Sequence, residues 1–287
     1  TMKSDRRNCD LSFSNLCSWR FLYDTQFAVI DDFLVFKFWA GEQLAYMMPV
    51  GNGDLKAVLR KLIEDADKEK HNFCMLGVCS NMRADLEAIL PERFIFTEDR
   101  AYADYIYLRS DLATLKGKKF QAKRNHINRF RNTYPDYEYT PITPDRIQEC
   151  LDLEAEWCKV NNCDQQEGTG NERRALIYAL HNFEALGLTG GILHVNGKIV
   201  AFTFGMPINH ETFGVHVEKA DTSIEGAYAM INYEFANRIP EQYIYINREE
   251  DLGIEGLRKA KLSYQPVTIL EKYMACLKDH PMDMVRW

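Results

Sequence analysis

Residues 189–218 read TGGILHVNGKIVAFTFGMPINHETFGVHVE. Three runs rich in β-branched and aromatic residues, 189–195, 198–208 and 212–218, follow one another closely. Only Asn196-Gly197 separates the first two, and this pair supplies the positive φ angles that a two-residue hairpin turn requires. A β-meander is therefore expected here. On its C-terminal side, 226–239 (GAYAMINYEFANRI) reads as a helix that stops before Pro240; a strand at 243–247, a helix at 255–263 and a strand at 267–275 follow. On its N-terminal side lie a strand at 137–142, a helix at 144–160 opened by Pro144, and a helix at 171–187 closed by Gly187. The order from 137 is β-α-α-β-β-β-α-β-α-β, the pattern of an α+β domain with a mixed sheet.

Residues 27–110 repeat this order more roughly. A hairpin over 27–39 turns at Asp31-Asp32, and a strand at 43–50 follows. Leu55, Val58, Leu59, Leu62 and Ile63 recur at helical spacing across 54–70. A strand at 73–78, a helix at 82–90 and a strand at 104–108 complete the series. The expectation is two related α+β domains, 1–111 and 136–287, joined by a basic helix over 112–135.

Composition sets the outer limits. A chain of 287 residues, 46% hydrophobic and 27% charged, can bury a sizeable core. No apolar run approaches the roughly 18 residues that cross a bilayer. The first ten residues lack the apolar stretch of an export signal. The eight cysteines are accordingly expected as thiols in a cytoplasmic protein. The C-x4-C pairs Cys74/Cys79 and Cys158/Cys163 have no second pair at zinc-site spacing, so no metal is expected.

Within this acidic chain, net charge -7, the segment 116–131 (KGKKFQAKRNHINRFR) holds seven Lys and Arg and no acid. At about 100° per residue, Phe120, Ile127, Phe130 and Tyr134 form one stripe. Lys123 projects onto that stripe, with Arg124 and Arg131 at its edge. A cation on a buried face needs a partner, because an unpaired buried ammonium is costly. A carboxylate, a ligand phosphate or snorkelling to water would each serve. Duplex DNA is not an expected partner, given the overall charge and the lack of a base-reading motif.

The sequence has no G-x-S-x-G, H-E-x-x-H, Walker A or G-x-G-x-x-G motif. His194 and His216 fall in strands, where a hydrogen-bonded structural role is the commoner one. His216 and Glu218 share a strand face by the period of two and could pair as acid and base. Glu218 also ends its strand beside the loop leading into the 226–239 helix, a position where ligands meet helix N-termini. Arg258, Lys259 and Lys261 form a second cationic group on 255–263.

These residues resemble a known family. GLRKAKLSYQP (256–266), with Gly256, Leu257, Arg258, Lys261, Tyr264 and Pro266, is similar to the G-L-R-x-x-K-x-x-[FY]-x-P signature of the phosphatidylglycerol lysyltransferase C-terminal domain. The basic segment is similar to the linker helix of small bacterial relatives of that domain. The resemblance implies two tandem acetyltransferase-like (GNAT) domains, related to Fem-type transferases. It also implies acyl or aminoacyl transfer, with an aminoacyl-tRNA as donor. Lys261 and Arg258 match positions lining the family's donor groove. The lysyltransferases also carry a multi-span membrane domain, and the absence of its spans here points away from a lipid acceptor. An acyl-CoA donor would call for an [RQ]-x-x-G-x-[GA] loop. The corresponding DTSIEGAY departs from it at Ser223 and Tyr228, although the backbone of Gly226 and Ala227 could still hold an anion.

The expected site therefore has Glu218 as base and Lys261 stabilising negative charge. Lys123, Arg124, Arg131 and Arg258, with the Gly226–Ala227 backbone, would bind the donor. Two alternatives stand beside it: a non-catalytic phosphate- or RNA-binding module on the same fold, and an acyl-CoA N-acetyltransferase.

Overall fold

The computed structural model describes residues 2–161 and 167–278. After a 3-10 turn at Cys9–Leu11 come α1 (Phe13–Ser18) and α2 (Arg20–Tyr23), then β1 (Gln26–Ile30), β2 (Phe33–Ala40), β3 (Gln43–Met47) and β4 (Val50–Gly51). Next are α3 (Leu55–Lys68), β5 (Cys74–Val78), α4 (Ser80–Ile89), β6 (Phe94–Glu98) and β7 (Asp104–Leu108). The middle of the chain forms α5 (Arg109–Thr114), α6 (Gln121–Thr133), β8 (Glu138–Pro141), α7 (Ile147–Asn161) and α8 (Glu167–His181). β9 (Thr189–Val195), β10 (Lys198–Pro207) and β11 (Thr212–Ala220) make the meander. α9 (Ala227–Arg238), β12 (Tyr245–Asn247), α10 (Glu255–Leu262), β13 (Thr268–Leu270) and β14 (Tyr273–Leu277) follow.

Two mixed sheets result, as the element order predicts. The first runs β1-β2-β3-β5-β14-β6 with β4 against β2; the second runs β13-β7-β12-β11-β10-β9-β8. Only β3/β5 and β11/β12 pair in parallel among the described strands. The turn at Asn196-Gly197 has φ angles of 52° and 73°, and it sets the β9–β10 register. β10 is buried on both faces, which explains its near-continuous apolar run. Ala201 packs toward α9, whereas Phe202 and Phe204 pack toward α7 and α8. In the first sheet, the helical stripe of α3 covers Phe33, Val35, Leu44 and Met75.

Three features depart from the expected layout. β7, from the N-terminal part of the chain, lies between β12 and β13 of the second sheet. The run 267–275 is not one strand: β13 joins the second sheet, while β14 crosses back to fill the gap between β5 and β6. The strands thus interleave across the division at 111 and 136. α6 does not bridge two separate bodies; Phe120, Ile127 and Phe130 pack on Ala227, Met230 and Ile231 inside the second core.

Charge and covalent chemistry reinforce the interleaving. Lys272, in the crossover between β13 and β14, places its buried Nζ 2.9 Å from Asp104 of β7 and 3.1 Å from Asp10. Asp104 also accepts from the Cys9 backbone at 2.8 Å and from Asn247 at 2.8 Å. Cys9, Asp104 and Glu250 bring their ligand-type atoms within 4.8 Å of one another, and the Lys272 ammonium supplies the cation there. Cys74 and Cys276 sit directly opposite in the β5–β14 pair and form a disulfide, which corrects the expectation that every cysteine is a thiol. Cys9, Cys17, Cys79 and Cys150 are free thiols. Cys163 lies outside the described residues.

Candidate functional site

Six parts of the chain converge where the basic helix meets the end of β11. α6 turns Lys123 inward, and its Nζ lies 3.9 Å from the centroid of the Tyr264 ring, just after α10. The loop after β12 supplies Arg248, whose guanidinium stands 4.9 Å from the same ring. Arg248 Nη2 donates to Glu218 Oε1 at 2.9 Å, and Asn232 Nδ2 of α9 donates to Glu218 Oε2 at 3.3 Å. Tyr107 of β7 backs the group, donating its hydroxyl to the Lys261 carbonyl at 2.8 Å. The expected inward placement of Lys123 is what the structure has, and its partner is an aromatic face rather than an acid. Among the described residues no carboxylate lies within ion-pair distance of it.

The electrostatics follow from this packing. Burial and the adjacent Arg248 hold the Lys123 ammonium down at about 8, with Glu218 pulling the other way. Against the cost of burial, Glu218 keeps the Arg248 guanidinium above its ordinary value. Burial drives the Tyr264 hydroxyl upward, so it stays neutral. Two buried polar atoms of the group lack a protein partner: Arg248 Nη1 and Asn232 Oδ1. A free donor, a free acceptor and an acid-free ammonium beside a carboxylate form a site that can take a polar, partly anionic group.

The other expected residues are engaged elsewhere. Lys261 is buried, and its Nζ donates to the carbonyls of Arg248 and Glu250, each at 2.5 Å. It shapes the loop that carries Arg248. Arg258 pairs with Asp251 through Nε and Nη2 at 2.8 and 2.9 Å; Asp251 also accepts from Tyr105 at 2.5 Å. The second cationic group is therefore largely spent inside the fold, and only Lys259 of the three is exposed. Arg124 donates to the carbonyls of Leu115 and Gly117, closing the turn before α6. Arg131 reaches Glu234 at 3.8 Å and lies 5.1 Å from the Tyr233 ring. Both arginines line a surface cleft of about 100 Å³ with Thr114, Ile127 and Asn128.

At the N-terminus of α9, Gly226 has φ 86°, and a Cβ there would lie 3.2 Å from the His126 carbonyl. The Ala227 amide donates to the Ile224 carbonyl at 3.1 Å, and its side chain is buried in the core. α6 thus lies on the side of Gly226 that a side chain would take, and the Ala227 amide is already bonded within the chain. The expected His216–Glu218 pair does not form either. Val217 pairs with Phe204 and Val215 with Gly205, leaving His216 as the extra residue of a bulge. The bulge breaks the two-residue period on which that pairing rested. His216 instead bonds Ser12 Oγ and Glu249 Oε1, each at 2.8 Å, and His194 bonds Glu149 at 2.7 Å.

Arg248, Asn232 and Tyr107 are the members that the sequence did not single out. Arg248 sits in an irregular loop where no periodicity marks the inward side. A lone Arg before the acidic run Glu249-Glu250-Asp251 is the one local signal.

The fold is two mixed sheets in one chain, interleaved by β7 and β14. The sequence profile of the family described as phosphatidylglycerol lysyltransferase, C-terminal, matches residues 1–276, and the chain belongs to that family. The structure is similar to the C-terminal domain of a proposed lysylphosphatidylglycerol synthetase from Agrobacterium fabrum, with a TM-score of 0.71. The two are 13% identical, and the match covers 95% of this chain and 88% of that one. It is also similar to L-PGS from Bacillus licheniformis, with a TM-score of 0.66 and 18% identity, covering 98% and 90% of the two chains. An uncharacterised protein of Mycoplasmoides gallisepticum is 25% identical over 177 residues, 60% of this chain, and the match spans 55% of that protein's length. No helix among the described residues is long and apolar enough to cross a membrane.

Proposed function

We propose that this chain transfers an acyl group, in the form of an aminoacyl ester carried by a tRNA, to the amine or hydroxyl of an acceptor. The observation that carries this reading is the pair of inward donors, Lys123 Nζ and Arg248 Nη1, left without acid partners beside the Glu218 carboxylate. Lys123 and Arg248 hold the ester carbonyl and stabilise the oxyanion that develops on it. Glu218 takes the proton from the attacking acceptor. Asn232 orients Glu218, and Lys261 positions Arg248 through two backbone carbonyls. Arg124 and Arg131, at the outer cleft, face the donor's phosphates. The α6 packing against Gly226 argues against a coenzyme A pyrophosphate at that helix end.

The test uses a tRNA pool charged with a labelled amino-acid mixture and extracts of candidate acceptors. Wild type is expected to consume the ester bond and move label into a product other than tRNA. Glu218→Gln is expected to lower the rate by about 100-fold or more while leaving tRNA binding within a few fold. Equal rates for wild type and Glu218→Gln would remove Glu218 from the reaction. In a thermal-shift panel, a rise with coenzyme A and none with charged tRNA would replace this reading with an acyl-CoA transferase.

A further inference from the structure

β1 and β6 end the first sheet, and β8 and β13 end the second. Three of these edges are guarded. β8 carries Glu138 and ends at Pro141, and β13 is only three residues long. β6 ends at Glu98, and the Arg83 guanidinium covers its Phe96 ring at 4.5 Å from the centroid. Charge, proline and shortness all keep a strand edge from pairing with another chain. β1 has none of them. Its five residues, Gln26–Ile30, include no charge and no proline, and β2 is its only partner among the described strands. No backbone group on its outer edge is bonded to a described residue. Phe27 and Val29 are 75% and 71% exposed, on the face that they share with Phe36 and Leu34 of β2.

We propose that β1 is a self-association surface, at which two copies of this chain pair their β1 strands antiparallel about a two-fold axis at Ala28. The strand is self-complementary about that residue. One register pairs all five residues with all five: Gln26 falls opposite Ile30 of the second copy, Phe27 opposite Val29, and Ala28 opposite its own equivalent. Directly opposite side chains lie on one face and in contact. Two Phe27 and two Val29 side chains therefore gather into one apolar cluster, extended on each side by Leu34 and Phe36. The contact uses the same strand of both copies, so it closes as a dimer and does not propagate into a fibre. The second copy fits this edge because it offers the same five uncharged residues in the matching order.

Five residues from each copy make a contact smaller than the roughly 1,200 Å² of a standard interface. Half-association is accordingly expected at about 10–100 µM rather than in the nanomolar range. The ends of the strand set the response to salt. In this register Asp24 falls opposite Asp32 of the second copy, so like charges meet at both ends of the contact. Raising the ionic strength screens them and strengthens the dimer, the reverse of what an ion-paired interface does. This surface belongs to the first sheet, whereas the candidate site is built on the second, so the inference does not rest on the proposed transfer.

Sedimentation velocity of the full chain from about 1 to 300 µM tests the proposal. Wild type is expected to pass from monomer to dimer across this range, at lower concentration when salt is added. Val29→Lys places a charge in the apolar cluster twice per dimer and is expected to raise the half-association concentration about ten-fold or more. Ile95→Lys, at an exposed position of β6, is expected to leave it unchanged. Both positions are on the surface, and equal urea midpoints confirm that each variant folds. Ala28→Cys is expected to cross-link to its own equivalent under mild oxidation, well beyond the wild-type level. Phe27→Cys, displaced by two residues from its equivalent, is expected to give about a tenth as much. A wild type that stays monomeric throughout would overturn the proposal, as would a dimer indifferent to Val29→Lys or equal cross-linking of the two cysteine variants. Binding of a monomer to vesicles of phosphatidylglycerol and phosphatidylcholine, abolished by Val29→Lys, would assign the strand to a lipid surface and overturn it as well.

Discussion

Lys123 and Lys261 carry the same ammonium group into opposite surroundings. Lys261 meets two carbonyl oxygens, so its burial is compensated. Removing it leaves the Arg248 and Glu250 carbonyls without this donor, which costs about 1–3 kcal/mol per buried group. Lys261→Met is therefore expected to lower the denaturant midpoint and to weaken binding by letting Arg248 drift. Lys123 meets no acceptor oxygen, only the face of the Tyr264 ring. Its folded value lies below that of an unfolded lysine, so between about 8 and the unfolded value the unfolded chain binds more protons. Stability attributable to this group rises with pH across that window, and the penalty is fully present below it. Lys123→Met is expected to be at least as stable as wild type at pH 7, with its advantage shrinking above pH 8. Urea melts of both proteins at pH 7 and pH 9.5 check this, and a variant that is strongly destabilised at pH 7 would show that the aromatic contact outweighs desolvation. Glu250 titrates with the opposite sign. Burial pushes it up to about 7, so the folded chain holds a proton that the unfolded chain releases near pH 4.5. That stability is lost as the pH rises from about 4.5 to 7, and Glu250→Gln is expected to flatten the decline.

Elements were legible where a local rule and the tertiary packing agree. Asn196-Gly197 dictates its turn from two residues, and the α3 stripe buries the residues that its spacing selects. The helical projection of α6 also placed Lys123 inward, because the period of a helix survives packing. The failures share a cause: contacts between residues far apart in sequence. The β11 bulge at His216 depends on the β10 partner strand, and no pattern within 212–218 announces it. The irregular loop bearing Arg248 is shaped by Lys261 and by the Tyr105 backbone of β7. Gly226 shows both sides of this. A glycine ahead of a helix suggested an anion cradle, whereas the structure uses its positive φ and missing side chain to admit α6. Gly226→Ala is expected to cost about 1–3 kcal/mol from the strained φ alone. Chemical denaturation would measure that loss, and a change below about 0.5 kcal/mol would mean that α6 is not held against this point.

At the scale of the molecule, each sheet is completed by a strand from across the division at 111 and 136: β14 enters the first and β7 the second. A fragment covering 1–111 lacks β14, and one beginning at 136 lacks β7. Neither is expected to give a dispersed NMR spectrum alone, and independent folding of either would show the borrowed strand to be dispensable. Element count was recoverable from the sequence because each strand carries its own pattern. Strand membership was not, since the run 267–275 reads as one strand and only the Lys272 cluster and the Cys74–Cys276 link reveal its division.

The borrowed strand also orders events in time. As the chain is synthesised, β5 and β6 appear early but have no strand between them until residue 277 has been made. Through that interval the first sheet presents two unpaired edges, the kind of surface that seeks a partner in another chain. Closing the first sheet must wait for β14, so holding those edges apart is a task for the interval between the synthesis of β6 and that of β14.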